Sequence, residues 1–286
     1  MTNRRMFKQM KLKSIILKSV LLWVIAGVYL FASQVQASLM ITPTRVVLDE
    51  RNRTADVTLL NTTTTTNVYR IQWQQKAQTA QGGYIDLETH TDADHIASDM
   101  LRHSPRKVTI GPGKYQRIKL RLRLPADLPD GEYRSHLLMK VVDTGVTTDG
   151  VVSEGKGAKL MLIPRLSFSI PIMVRKGQNN STTGIASLEL NTQEDKPKLM
   201  VDVTHQGDFS SYGILTVYMK ANDSSPVEKI GEAHNIALFR ETALRKASIP
   251  LQIDQVPAGA VVQVVYDGDD EYEGQQLGTA AFTYEP

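Results

Sequence analysis

Residues 159–175 read KLMLIPRLSFSIPIMVR, and this stretch decides the fold. An apolar residue or proline occupies every even position: Leu160, Leu162, Pro164, Leu166, Phe168, Ile170, Ile172 and Val174. A period of two predicts a β-strand, but this strand would be roughly 55 Å long, whereas most strands have fewer than about 10 residues. We therefore expect part of it to project past its own sheet or to lie along an edge.

Two structures fit this alternation. An exposed edge strand with an unbroken apolar row is an aggregation hazard, so its presence favours pairing with another chain. A buried central strand is the alternative, because Met161, Ile163 and Met173 give the odd face an apolar character as well. The alternation alone leaves both structures open.

The first 37 residues are typical of a secretory signal peptide. Six basic residues between Arg4 and Lys18 precede an apolar run, 20–31, that is too short to span a bilayer. The sequence Val35-Gln36-Ala37 predicts cleavage before Ser38, and an uncleaved signal anchor is the alternative. The whole chain has 33 basic and 30 acidic residues; cleavage leaves 27 and 30. The mature chain is therefore mildly acidic, which gives no support for nucleic-acid binding.

The rest of the chain is long enough for two domains and contains no cysteine, which excludes disulfides and cysteine zinc sites. Strands are predicted at 39–48, 55–60, 68–75, 107–110, 116–124, 133–142 and 159–175, and then at 184–190, 198–205, 213–220, 247–253, 261–266 and 280–284. Short strands between turn formers predict an all-β chain of two sandwiches in tandem. We place the domains at 38–176 and 177–286. No second apolar segment is long enough for a membrane span.

Enzymatic chemistry is not predicted. Segment 150–156 (GVVSEGK) is similar to the start of a phosphate-binding loop, but Gly157 stands where the metal-binding Ser or Thr is needed. The acidic segment 267–273 lacks the ligand spacing of a calcium loop, and the six histidines show no metal-ligand spacing. We expect no enzyme, no metal and no cofactor.

Three short segments and the long strand together carry a family resemblance. The segments are 42–48 (TPTRVVL), 110–113 (IGPG) and 128–135 (LPDGEYRS). In this order they resemble the periplasmic pilus-assembly chaperones of the chaperone–usher pathway, in particular their archaic-type branch. The resemblance covers the first domain, whereas the second domain agrees only in length and β content. It implies two immunoglobulin-like sandwiches set at an angle around a cleft.

The resemblance also implies a mechanism and partners. The client would be a pilin subunit whose sandwich lacks its last strand, and the chaperone would donate one before delivery to an outer-membrane usher. The motif register assigns the donated row to Leu160, Leu162, Pro164, Leu166 and Phe168. The protein would act in the periplasm, in fimbrium biogenesis and cell wall organization, without nucleic acid and without a membrane partner after cleavage. Self-association of the free form is left open.

Chaperones of this kind bind the pilin's terminal carboxylate with an arginine and a lysine. Arg45 matches the arginine position, and a guanidinium suits bidentate carboxylate binding. An ordinary exposed strand arginine is the alternative. The lysine is missing, because 170–175 reads IPIMVR. Either Arg165 or another cation replaces it, or the carboxylate is held differently.

The resemblance further implies an interdomain salt bridge. Arg175, at the end of the long strand, is expected to meet Glu132 and one carboxylate of the second domain, with Asp267 or Asp269 nearest by motif. A partly buried arginine between two carboxylates would fix the angle between the domains, although the net stabilisation can be small.

Two other classes of protein remain as alternatives. A secreted adhesin or structural surface protein could use the same edge strand for polymerisation or ligand binding. A periplasmic hydrolase would need a polar constellation that the sequence does not contain. An usher and pilin subunits encoded beside this chain would distinguish the chaperone from the adhesin.

Overall fold

The computed structural model describes residues 39–89, 91, 95–143, 166–193 and 196–285. All of them belong to one compact unit, Leu39–Pro286. The predicted signal peptide 1–37 lies outside the described residues. Within those residues no helix has both the length and the apolar character needed to cross a membrane.

Eleven strands form the first half of the described chain. They are β1 (Leu39–Thr42), β2 (Val46–Leu48), β3 (Thr54–Asn61), β4 (Asn67–Gln74), β5 (Lys76–Gln78), β6 (Tyr84–Asp86), β7 (Leu101–Ser104), β8 (Lys107–Ile110), β9 (Tyr115–Leu122), β10 (Gly131–Asp143) and β11 (Phe168–Lys176). One sheet has the order β1-β3-β9-β7 and the other β2-β11-β10-β4-β8, while β5 and β6 form a separate hairpin. The orders β1-β3-β9-β7 and β11-β10-β4 match the ABED and CFG sheets of an immunoglobulin domain.

Seven strands form the second half. They are β12 (Thr182–Asn191), β13 (Lys198–Gln206), β14 (Ser211–Lys220), β15 (Glu228–Leu238), β16 (Leu244–Pro250), β17 (Val261–Gly268) and β18 (Gln276–Thr283). Their sheets have the orders β12-β13-β16 and β15-β14-β17-β18. Short 3-10 turns lie at Ser98–Met100 and Asp270–Tyr272. The prediction of an all-β chain with two sandwiches is confirmed; the domain limits 38–176 and 177–286 remain predictions.

Each pair of sheets encloses its own apolar core because alternate residues of every strand face inward. The first core packs Val57, Leu59 and Ile118 of one sheet against Leu137 and Ile172 of the other. The second core is built in the same way. A third, smaller cluster connects the two sandwiches, and its members are Met173, Tyr212, Ala237, Phe239 and Tyr272.

The predicted strand 39–48 is two strands. β1 pairs with β3 in one sheet, whereas β2 runs parallel to β11 in the other. Pro43 lies in the bend between them, and a proline has no N–H with which to continue a ladder. The break lets one segment contribute to both sheets of the first sandwich and places Arg45 in the bend.

Candidate functional site

The apolar row of the long strand is described only at its end. Four predicted site residues fall outside the described residues: Leu160, Leu162, Pro164 and Arg165. Leu166 precedes β11 and is 57% exposed, whereas Phe168 packs partly on the first core. Phe168 is also the first residue that pairs with β10, and its assignment to a donated row stays a prediction. The row passes from the core to solvent between these two residues.

The edge of β11 is open over its first half. β11 pairs with β10 along Phe168–Lys176, but β2 covers its other side only at Ile172, Met173 and Val174. No strand of the described chain pairs with that side of 168–171. Both alternatives that the sequence left open therefore apply to β11. Its end is a buried central strand, and its beginning is an edge strand.

Arg45 is more buried than the sequence predicted, whether as a carboxylate-binding arginine in a cleft or as an exposed strand arginine. Its Nη1 donates a hydrogen bond to Glu271 Oε2 at 2.9 Å, and its guanidinium carbon lies 4.1 Å from the centroid of the Tyr212 ring. Only 7% of the side chain is exposed, so Arg45 is neither an exposed strand arginine nor a free cation in a cleft. Within the described chain, its buried Nη2 has no hydrogen-bond partner.

Arg175 joins the same carboxylate to the first sandwich. Its Nε donates to Glu132 Oε2 at 2.8 Å, from the directly opposite position on β10. Its Nη2 lies 3.0 Å from Glu271 Oε1. The carboxylate of Glu271 is therefore held by two arginines, Arg45 on one oxygen and Arg175 on the other. We call these four residues, Arg45, Glu132, Arg175 and Glu271, the ion-pair joint.

The second sandwich contributes Glu271 to this joint, whereas the sequence predicted Asp267 or Asp269. Asp267 is exposed on β17. The Asp269 carboxylate is engaged locally, because it accepts a hydrogen bond from the Asp270 amide at 2.8 Å and caps the 3-10 turn. That turn carries Glu271 to the arginines. No group of three or more metal-ligating side chains occurs in the described part of the chain.

In the ion-pair joint, burial and the neighbouring charges have opposite effects on the pKa of Arg175. Glu132 is 3% exposed and accepts a hydrogen bond from Ser210 Oγ at 2.8 Å. Burial alone would lower the pKa of Arg175, but the neighbouring Glu132, Tyr272 and Glu271 outweigh it and raise that pKa above its ordinary value. Arg175 therefore stays charged, as its two carboxylate partners require.

A second contact between the sandwiches was not predicted. The hairpin β5–β6 reaches from the first sandwich to the second. Gln78 Nε2 donates to the Ala237 carbonyl at 3.0 Å, and the Phe239 amide donates to Gln78 Oε1 at 3.2 Å. The Lys246 amide donates to the Ala80 carbonyl at 2.7 Å. We call this contact the hairpin joint.

Arg134 and His136 of β10 lie beneath the hairpin. Arg134 Nη2 donates to the Lys76 carbonyl at 2.8 Å and to Glu241 Oε1 at 2.5 Å. His136 is 1% exposed, and Tyr84 of β6 meets its ring edge to face at 4.9 Å. Burial, with the charges of Arg134 and Lys76, lowers the pKa of His136 to about 3. His136 is therefore neutral at ordinary pH.

Comparisons with known proteins give structural neighbours and no sequence match. No protein-family model matches the chain, and no curated protein matches its sequence. A chain from the chaperone–tip adhesin complex of CFA/I fimbriae biogenesis is 14% identical with a TM-score of 0.42, covering 87% of this chain and 100% of its own. The YadV chaperone is 13% identical with a TM-score of 0.42, covering 86% and 100%. The CupB2 chaperone of Pseudomonas aeruginosa is 13% identical with a TM-score of 0.40, covering 86% and 100%.

Two of these neighbours are chaperones, and the first comes from a chaperone–adhesin complex of fimbriae biogenesis. At such identities and TM-scores the likeness does not define a family. The function has to be argued from the strands and side chains of the chain itself.

Proposed function

We propose that the chain is a periplasmic chaperone that binds pilin subunits, stabilises them by donor-strand complementation and delivers them to an outer-membrane usher. The observation that carries the proposal is the open edge of β11, where the apolar row leaves the first sandwich at Leu166. The predicted signal peptide, 1–37, supports export to the compartment where such clients fold.

The physical argument concerns an incomplete sandwich. A subunit short of one strand exposes part of its core and a row of unpaired backbone groups, each costly if buried without a partner. A strand donated from another chain supplies main-chain hydrogen bonds, and its alternate side chains fill the groove. The even residues of 160–166 continue the row of Phe168 and Ile170 and are the side chains that we assign to the client.

The ion-pair joint supports a proposal for the client's terminal carboxylate. A carboxylate held by two arginines is a strong, geometrically defined site. In the free chain Glu271 occupies it. Arg175, Glu271 and Tyr272 line an open surface depression, which gives an incoming carboxylate access to Arg175, whereas Arg45 is not part of its lining. We assign Arg45 and Arg175 as the anchor, with Glu271 giving way to the client; Arg165 lies outside the described residues and stays a predicted alternative.

The donor strand is tested by the double substitution Leu162→Asp/Leu166→Asp. Each leucine buried only in the complex would contribute roughly 1.5–3 kcal/mol by transfer from water. We expect the free variant to melt at nearly the temperature of the parent and to lose the pilin complex on co-expression and purification. Val227→Asp is the matched control, because Val227 is a 63% exposed apolar residue of the second sandwich.

Two results would contradict the donor strand. A large drop in the melting temperature of the free double variant would place the leucines in a core of the monomer. Recovery of normal amounts of pilin complex would show that the row does not enter a client. Polymerisation of the parent chain through this edge, without any pilin, would favour the surface-protein alternative.

The carboxylate anchor is tested by binding of a peptide with the pilin's terminal sequence, as the free acid and as the amide. We expect Arg45→Ala to weaken binding of the acid and Glu271→Gln to strengthen it, because the glutamine no longer competes for the arginines. The amide should bind equally weakly to all three proteins. If Glu271→Gln weakens binding of the acid, Glu271 is a structural partner and the anchor lies elsewhere.

A further inference from the structure

The outer face of the sheet β1-β3-β9-β7 carries a row of exposed cations. In β9 the three buried positions are apolar, and before and between them stand Arg117, Lys119 and Arg121, all exposed. Alternate residues of a strand are about 7 Å apart on one face. The three cations therefore form a regular line on the solvent side of the first sandwich, and Arg123 continues it beyond the strand.

This arrangement places two like charges opposite each other. Arg121 stands directly opposite Arg102 of β7, and like charges opposite each other destabilise a sheet. Asp56 of β3 is the acidic residue opposite Lys119. Within the described residues, none of the three β9 cations forms an ion pair. Because these cations repel each other and form no ion pair within the described residues, we look for an anionic partner outside the chain.

One end of the same face is apolar. Met40 of β1 lies opposite Leu60 of β3, and Leu60 lies opposite Tyr115 of β9, so the three side chains form one row across three strands. Met40 is 54% exposed and Tyr115 is 64% exposed. Tyrosine has an apolar ring and a polar tip, which suits the boundary between lipid and water. We call this row together with Arg102, Arg117, Lys119 and Arg121 the basic face.

The charge of residues 38–286 is divided in the same sense. Residues 38–176 contain 20 Lys and Arg and 14 Asp and Glu, whereas residues 177–286 contain 7 and 16. A negatively charged surface would therefore attract the first half and repel the second. Such a division orients the chain with its first half toward the surface.

We propose that the basic face binds the surface of an anionic phospholipid bilayer. A spaced line of cations with an apolar and aromatic row at one end matches the requirements of peripheral membrane binding, which are attraction to anionic headgroups and shallow burial of apolar side chains. The centre of a protein interface is depleted of charged residues, whereas here the cations occupy the centre and the apolar residues the end. The proposal replaces the expectation of no membrane partner, and it concerns adsorption to the surface rather than a span.

The proposal is tested by sedimentation of the purified protein with phosphatidylcholine vesicles, with and without phosphatidylglycerol. We expect binding only to the anionic vesicles, decreasing with added salt. The triple variant Arg117→Gln/Lys119→Gln/Arg121→Gln should bind on the order of 100-fold more weakly, since each basic residue near an anionic surface contributes a factor of about five. Tyr115→Ser should weaken binding with less dependence on salt.

The matched control is Lys220→Gln/Lys229→Gln/Lys246→Gln, which removes the same charge from exposed lysines of the second sandwich. An equal loss in this control would overturn the proposal, because it would show an effect of net charge alone. Absence of binding by the parent protein would overturn it as well. The proposal would also be overturned if sedimentation without vesicles showed that the protein dimerises through the basic face.

Folding of the triple variant is checked by its melting curve. If the variant does not fold, Arg121→Gln takes its place, because this change removes the like charge opposite Arg102 and leaves the rest of the face intact. The single variant should bind roughly five-fold more weakly. An unchanged affinity of Arg121→Gln for anionic vesicles would contradict the proposal.

Discussion

The ion-pair joint and the hairpin joint connect the same two sandwiches by different physics. In the ion-pair joint, Arg175 and Glu132 stand opposite each other on the long strands β11 and β10, and both are largely buried. In the hairpin joint, three-residue strands offer mostly backbone and amide hydrogen bonds, as between Gln78 and Phe239. Charges fixed on long strands can hold a precise geometry, whereas at the hairpin the neutral contacts are joined by one ion pair, Arg134–Glu241, whose carboxylate is 40% exposed.

The comparison predicts that the largest loss of stability follows when one partner of the ion-pair joint is removed. Arg175→Met should destabilise the protein by about 3–5 kcal/mol, because it leaves the Glu132 carboxylate buried without its cation. Urea unfolding measures the loss. The double variant Arg175→Met/Glu132→Gln should recover much of it, since no unpaired charge remains.

Lys246→Ala is the control for this prediction, because Lys246 pairs with Asp202 on the surface, 49% exposed. Exposed pairs of this kind contribute about 0–1 kcal/mol. If Arg175→Met costs no more than this control, the ion-pair joint contributes little to stability and its role is confined to geometry or binding.

The hairpin joint should be sensitive to acid through His136. The folded-state pKa of His136 lies near 3, below the ordinary value of 6.5. Its contribution is therefore complete above pH 6.5 and is lost as the pH falls toward about 3, because the unfolded chain binds the proton first. Between about pH 7 and about pH 5 the loss should be roughly 2 kcal/mol.

Urea unfolding at both pH values measures this loss, and His136→Leu, which cannot titrate, should abolish it. The charged groups around the ring are Arg134 and Lys76, and both oppose protonation. His234→Leu is the control, since its side chain is 54% exposed. A loss that is the same in His136→Leu as in the parent would assign the pH dependence to other groups.

The difference between the joints also shows what the sequence can predict. The strict alternation of 159–175 and of β9 revealed strands, their buried faces and the sandwich class, because a period of two is a direct consequence of strand geometry. The resemblance then placed Arg175 beside Glu132. Glu271 was missed, because a 3-10 turn and the cap at Asp269 decide which carboxylate of an acidic loop reaches the arginines.

The missed strands are either very short or irregular. The hairpin strands β5 and β6 have three residues each and β7 has four, too few to show a period. In β15, the pairing with β14 shifts register twice, and each bulge moves the side chains that follow to the other face. Local irregularity of this kind removes the alternation that a sequence pattern needs.

Removing a neutral contact of the hairpin joint should reduce the free energy of unfolding by less than the charge effects do. Gln78→Met keeps the volume of the side chain but leaves the Phe239 amide without its acceptor, so we expect a loss of about 1–2 kcal/mol. The Ala237 carbonyl still accepts from Arg245 Nη1 at 2.7 Å, which limits the effect. Faster hydrogen exchange at the Phe239 amide is the local readout. Gln116→Met, at an exposed amide on β9, is the control and should change neither quantity.

The smallest effect is expected at the one ion pair inside the hairpin. Lys76 Nζ lies 2.6 Å from Asp86 Oδ1 across the two strands, with side chains 15% and 59% exposed. Water screens the exposed carboxylate, so Asp86→Asn should cost less than about 1 kcal/mol and the cost should vanish in high salt. Unfolding in urea at low and high ionic strength measures both. A larger, salt-independent loss would mean that this ion pair contributes more to the hairpin than the amide contacts of Gln78, contrary to the comparison of the two joints.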